Sequence, residues 1–271
     1  MLKLGHIVYA NCFPVHGGIV TGKIPFPFTI VEGIPTELNH RLYEGKVDVS
    51  PSSSIEYAMN PGRYRILPGL SITAKSKAMS ISLQSRVPIA DLNDRTIALT
   101  TASATSVVLL RILLELREGV NPNYYLFEQG KEDPSGRADA ILTIGDLALR
   151  KGPTEEYPHH YDLGALWNDF TGLPFVFALW QVNYRKNIQR DLVVLHELLG
   201  RSKLYGLRDL RGLANDHAER FGFSRDQLFS YWNAFSYDLG EYEQKGLLTF
   251  YGYAAEIGAI ASAPDLHFWE P

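Results

Sequence analysis

Four short stretches carry side chains whose types and spacing could do chemistry. In HIVYANCFPV (residues 6–15) an apolar, strand-like run ends on Asn11, and Pro14 is suited to the first turn of a following helix. Either Asn11 is a turn residue, or its amide points into a cleft at the carboxyl end of the strand. In TTASATSVVLL (100–110) small hydroxyl residues precede a helix whose first turn includes Thr105 and Ser106. Such a helix start presents free backbone N–H groups and the positive end of the helix dipole, which favour an anion; the alternative is plain capping. PSSSIEYA (51–58), with Ser52 and Ser53, is a similar device. Two such devices facing one cleft would suit a ligand with two carboxylates. In TIGDLALR (143–150), Gly145 and Asp146 open another helix. Asp146 either caps it or hydrogen-bonds a ligand hydroxyl or a donor from an opposing lobe.

Other reactive residue types point to structural roles. His159 and His160 are adjacent and lack a partner at metal-ligand spacing, so no metal site is expected there. Cys12 reads as a small buried thiol, and His6 as an interior or cleft-edge histidine with a satisfied ring. No P-loop and no dinucleotide-binding glycine pattern is present.

The elements that must position these residues follow a repeating plan. Lys3–Tyr9, Phe28–Val31 and Val47–Ser50 read as strands, with a helix from Pro35 that Gly45 ends as a left-handed cap. Strand–helix–strand order implies a parallel βαβ unit. The plan recurs with a strand at 96–100, a strong amphipathic helix ended by Gly119, and a strand within 136–146. GKVDVS (45–50) and GRADAI (136–141) match loosely, which suggests two α/β lobes built alike. MSISLQS and FVFALWQV read as two strand-like crossings between the lobes. Residues 1–82 plus 181–271 are then lobe 1, and 83–180 are lobe 2, with a ligand site between them. From Arg185 onward the chain reads as helical: one helix ends at Gly200, SRDQ (224–227) is a capping box, and a last helix packs on lobe 1.

Composition bounds the function. The chain has 271 residues, 45% hydrophobic and 21% charged, with a net charge of −4. A mildly acidic chain without a basic cluster is a poor partner for nucleic acid or an anionic membrane. The densest apolar stretch, LPFVFALW (173–180), is far shorter than the roughly 20 residues of a membrane helix. A single cysteine and an N-terminus without a signal-peptide pattern point to the cytoplasm.

Taken in series, GHIVYANCFPV, GIPTELNHRLYEGKVDVSPSSSIEYA, ILPGLSI, MSISLQSRVPI, ALTTASATSVVLLRILL, ADAILTIGDLAL and YDLGALWNDFTGLPFVFALW resemble the chorismate dehydratase family of the futalosine route to menaquinone. The resemblance runs from about residue 3 to 182. It implies a periplasmic-binding-protein-like fold of type II acting as a cytoplasmic lyase, which converts chorismate to 3-(1-carboxyvinyloxy)benzoate and water. A sister family on the same fold forms a dihydroxynaphthoate, and tends to begin with an aspartate-rich stretch where this chain has HIVYANCFPV. The runner-up reading is a binding protein for a small carboxylate, without chemistry, and the sister enzyme is the third. Chorismate's two carboxylates match the helix starts at 52–54 and 104–106. Dehydration makes an aromatic ring, so the tasks are orientation and proton transfer, and no metal or organic cofactor is expected. On this reading Asn11 and Ser80 are the catalytic pair. Ser52, Ser53, Thr105, Ser106, Gly145 and Asp146 bind the substrate. Because the matched motifs offer no obvious His or Glu base, a carboxylate of the substrate itself is expected to take the proton.

Overall fold

The computed structural model describes residues 1–184 and 188–270; the start of the helical reading at Arg185 lies outside the described residues. The chain runs β1 (Lys3–Ile7), α1 (Phe13–Val20), β2 (Thr29–Gly33), α2 (Pro35–Tyr43), β3 (Val49–Ser53), α3 (Ser54–Met59) and β4 (Tyr64–Ala74). It then builds β5 (Ile81–Ser85), β6 (Thr96–Thr100), α4 (Ala104–Ile112), β7 (Asn123–Phe127), β8 (Ala140–Ile144), α5 (Gly145–Arg150), β9 (His159–Asp162) and α6 (Leu163–Thr171). It closes with β10 (Phe175–Asn183), α7 (Gln189–Arg208), α8 (Leu210–Phe221), α9 (Arg225–Asn233), β11 (Phe235–Ser236) and α10 (Glu241–Glu256).

Two sheets organise these elements. One has the order β11-β4-β10-β3-β1-β2, the other β7-β6-β8-β5-β9. β2 and β3 both run parallel to β1, as the strand–helix–strand order requires. β10 is buried along Phe175–Val182 and is antiparallel to both β3 and β4. It therefore belongs wholly to the first sheet and is not a crossing. β5 likewise pairs only with β8 and β9. By sheet membership the chain changes lobe between Ala74 and Ile81 and between Asp162 and Phe175, earlier on both passes than residues 82 and 180. The reason is pairing: an apolar run buried on both faces satisfies its backbone in the middle of a sheet, not in a linker.

β3 also runs further than its sequence reading. Pro51, Ser52 and Ser53 pair with Trp180, Leu179 and Ala178, so α3 starts at Ser54. Ser52 is thus a strand residue and not part of a helix start. Gly119 and Gly45 have φ of +69° and +71°, the left-handed values of helix ends. In the capping box, Ser224 Oγ accepts from Gln227 N–H and Gln227 Oε1 accepts from Ser224 N–H.

Gly200 does not end a helix: α7 continues through it to Arg208. Packing overrides the breaker here, because α7 lies against α1, and at Gly206 the backbones meet. A Cβ added there would sit 2.1 Å from Pro14 O, whereas one at Gly200 meets nothing within 4 Å. Gly206→Ala should therefore cost about 1–3 kcal/mol, since overpacking against backbone outweighs the gain in helix propensity. Gly200→Ala should instead stabilise by roughly 0.5–1 kcal/mol. Urea unfolding of the two variants checks the opposite signs.

Candidate active site

The carboxyl end of β1 opens into a cleft between the lobes. Ile7, Tyr9 and Asn11 line it, with Pro35, Ser53, Ile72, Phe177 and Ala178 from the first lobe. Ser80, Ile81, Ser103, Ser106, Ile144 and Gly145 come from the chain passage into the second lobe and from that lobe itself. The space between these walls, counting the part open to solvent, is about 430 Å³. None of these lining residues is Asp, Glu, His, Lys or Arg. Tyr9 is the one ionisable phenol among them, and burial, followed by the Asp146 and Glu37 charges, pushes it up to about 12. It is a neutral hydroxyl at ordinary pH.

Of the residues picked from sequence, Asn11, Ser53, Ser80, Ser106 and Gly145 meet in this cleft. Asn11 follows β1 in a short 3-10 turn, Ala10–Cys12, and its Oδ1 is buried without a hydrogen-bond partner. A buried orphan acceptor at a cleft wall is poised for a donor from a ligand. Ser53 is the N-cap residue of α3, but its hydroxyl makes no cap bond and faces the cleft. Ser106 Oγ lies 3.0 Å from Ser103 Oγ, and Ser103 caps α4 by accepting from Ser106 N–H. Gly145 has φ +68°, and a Cβ there would come within 3.1 Å of the Tyr9 ring. Only glycine lets the second lobe approach this closely.

Ser52, Thr105 and Asp146 are not among the lining residues. Ser52 Oγ is buried on β3 without a partner. Thr105 Oγ1 accepts from Ile55 N–H at 3.2 Å and lies 3.4 Å from Ser54 Oγ, so it joins the start of α4 to the start of α3 across the lobes. Asp146 Oδ1 accepts from Ala10 N–H at 3.1 Å, also across the lobes, and burial raises its pKa. Both side chains tie the lobes together.

Tyr9, Ser103 and Tyr231 escaped the sequence reading. Tyr9 had a signal, because it stands two residues beyond Ile7 in an extended run, and a period of two puts such side chains on one face. Ser103 had another, the Ser-x-x-Ser spacing of a cap. Tyr231, whose hydroxyl reaches Ser80 Oγ at 2.8 Å, is 151 residues away in sequence and had none.

A second cluster lies on the other side of β1. His6, Cys12 and His16 offer ligand atoms within 4.8 Å of one another, all buried. Cys12 and His16 are one helical turn apart, a spacing that sequence reading passed over. Trp180 Nε1–H donates to His16 Nε2 at 3.0 Å. That leaves the His16 proton on Nδ1, which is 3.0 Å from His6 Nδ1 and 3.7 Å from Cys12 Sγ. A metal on His16 Nδ1 would need the proton on Nε2, facing the indole N–H. The cluster is a tautomer-locked hydrogen-bond chain, and burial pushes the Cys12 thiol up to about 12, far from a reactive thiolate.

Comparison with known proteins now bears on the site. The Menaquinone biosynthesis family model matches residues 2–256. The chain belongs to this family. A chorismate dehydratase of Thermus thermophilus is 34% identical over 277 residues, covering 96% of this chain and 96% of that protein. A chorismate dehydratase of Campylobacter jejuni is 28% identical over 70% of this chain and 71% of its own length. A 1,4-dihydroxy-6-naphtoate synthase of Thermus thermophilus is 25% identical over 97% of each. Among solved structures, a protein of Archaeoglobus fulgidus superposes with a TM-score of 0.75 at 18% identity, covering 96% of this chain and 98% of that one. The periplasmic aliphatic sulphonate binding protein SsuA of Escherichia coli superposes at 0.64 and 13%, covering 100% and 92%. The fold is periplasmic-binding-protein-like, with two lobes, and the family assigns the chain a lyase-type role in menaquinone biosynthesis.

Burial and, for His6, the Arg220 guanidinium lower His6 to about 4, and burial with the His6 neighbour lowers His16 well below 6.5. Both rings are neutral in the fold, whereas unfolded histidines gain protons below about pH 6.5. Their contribution to stability is therefore complete above pH 6.5 and lost as pH falls toward about 4. Each should cost roughly 1.4 kcal/mol per pH unit below about pH 6. Urea unfolding at pH 7, 6 and 5 should show this slope; a flat profile would mean that the pair is charged in the fold.

Proposed function

We propose that the protein is a chorismate dehydratase, releasing water from chorismate to give 3-(1-carboxyvinyloxy)benzoate. The observation that carries this reading is a cleft whose polar groups are hydroxyls and one amide set among apolar side chains, with no charged side chain among the described lining residues, in a chain 34% identical to a chorismate dehydratase over 96% of its length. With both carboxylates ionised, chorismate has one O–H donor, the ring hydroxyl, and the cleft offers one orphan acceptor, Asn11 Oδ1. Ser53, Ser103 and Ser106 supply neutral donors near the starts of α3 and α4 for the carboxylates.

Among the described lining residues, no side chain is able to act as a base near neutral pH. The enolpyruvyl carboxylate of the substrate then takes the proton from the ring carbon that bears the ether. The C–H electron pair becomes a ring double bond, and the neighbouring C–O bond breaks. The departing hydroxide leaves as water with that same proton, which regenerates the carboxylate. Ser80 donates to the departing oxygen while Asn11 holds it in line, so orientation supplies most of the catalysis. The proposal places the reaction in the cytoplasm, in keeping with one cysteine, buried as a free thiol.

The 25% identity to a 1,4-dihydroxy-6-naphtoate synthase keeps that activity as the second reading. Incubation of the purified protein with chorismate, followed by mass and ultraviolet analysis, should show loss of one water and a new aromatic chromophore. Unchanged chorismate, with turnover of the sister enzyme's cyclic substrate, would reverse the assignment. Asn11→Leu and Ser80→Ala should each lower kcat by about 100-fold or more, with Tm close to the parent's. Parent-like turnover in both would move the chemistry elsewhere.

A further inference from the structure

Ser80 is held more firmly than its role as a lining residue requires. Its N–H donates to Ala78 O at 2.6 Å, and its carbonyl accepts from Gly145 N–H at 2.7 Å. Just before it, Met79 sits at φ +58°, a left-handed conformation that is uncommon for a side chain of this size. Asp162 stabilises that turn by accepting from the N–H groups of both Ala78 and Met79. Backbone strain beside a cleft residue persists only where its surroundings enforce it.

The side chain is fixed by a different part of the molecule. Tyr231, on α9 of the first lobe, is fully buried and donates its phenol proton to Ser80 Oγ at 2.8 Å. The ring packs edge-on against Phe235 at 5.3 Å, so its position does not depend on the hydroxyl. Burial, with Asp146 and Asp162 nearby, keeps the phenol protonated and therefore a donor. With that bond made, the proton of Ser80 has one protein acceptor, Ala78 O, at a long 3.3 Å. A ligand oxygen at the ordinary 2.7–2.8 Å would win it. Donation into Ser80 Oγ also polarises its O–H, making it a better donor in turn.

We propose that Tyr231 is the positioning residue for Ser80: its hydroxyl, reaching from α9 to the passage between the lobes, turns the serine proton toward the cleft. This rests on the dehydratase reading above.

The test is a double-mutant cycle on chorismate turnover with Tyr231→Phe, Ser80→Ala and the double variant. Phenylalanine keeps the ring and removes only the donor. Tyr231→Phe should lower kcat by about 10–100-fold with KM within about threefold, and should cost nothing further in the Ser80→Ala background. An equal loss in both backgrounds would make Tyr231 merely structural, and parent-like kcat or a change confined to KM would also overturn the assignment. Where Ser80→Ala turnover is too low to measure, the split between kcat and KM in Tyr231→Phe decides alone. A parent protein that leaves chorismate unchanged overturns the dehydratase reading and this assignment with it; an active parent with additive losses overturns only the assignment.

Discussion

The contact between Thr105 and the start of α3 is the constraint around which the cleft is built. Two helix N-termini, each with unpaired N–H groups, end against one another between the lobes. Such ends repel unless something accepts from them. Thr105 Oγ1 accepts from Ile55 N–H, and Asp146 accepts from Ala10 N–H a short way along the same seam. Trp232 fastens the next peptide unit by donating its indole N–H to Ala10 O at 2.7 Å. The first lobe's strand end is thereby gripped from both sides, and Asn11, the next residue, inherits a fixed position.

This arrangement separates residues that join the lobes from residues that face a ligand, although both kinds are small and polar. Within α4 the two roles alternate along one turn: Ser103 and Ser106 face the cleft, and Thr105 between them bridges to α3. On β3 the division falls between neighbours for the same geometric reason. Successive strand residues point to opposite faces, so Ser53 reaches the cleft and Ser52 does not.

Sequence made the scaffold legible where a local rule decides it. The first strand, which stops at Ile7 rather than running on to Tyr9, the βαβ order, the helix ends at Gly45 and Gly119 and the capping box all follow from patterns within a few residues. Ser52 was misplaced because the extension of β3 depends on β10, more than 120 residues later, which no local pattern reports. Gly200 misled because the course of α7 is decided by its packing on α1, not by helix propensity. Thr105 was recognised only as a polar residue at a helix start, whereas the donor it satisfies belongs to the other lobe; for Asp146 the opposing-lobe donor was one of the readings, and it is the one the fold realises. Tyr231 could not be found at all, since its part in the site exists only once α9 has folded back over the passage between the lobes.

A cleft whose described lining has no arginine or lysine is poorly equipped for a dianionic substrate on affinity alone. A guanidinium beside a carboxylate would bind it more tightly through a charge-assisted, bidentate contact. The same cation would lower that carboxylate's pKa, often by 1–3 units, and so weaken it as a base. On the dehydratase reading the enolpyruvyl carboxylate is the base, so tight ionic pairing would oppose the reaction it serves. Hydroxyl and amide donors hold the carboxylate with directional hydrogen bonds and shift its basicity less. Burial works in the same direction, since a carboxylate removed from water is a stronger base than one in solution. The absence of charged side chains from the described cleft lining is then a condition of substrate-assisted chemistry, with binding strength given up so that the bound carboxylate can accept a proton.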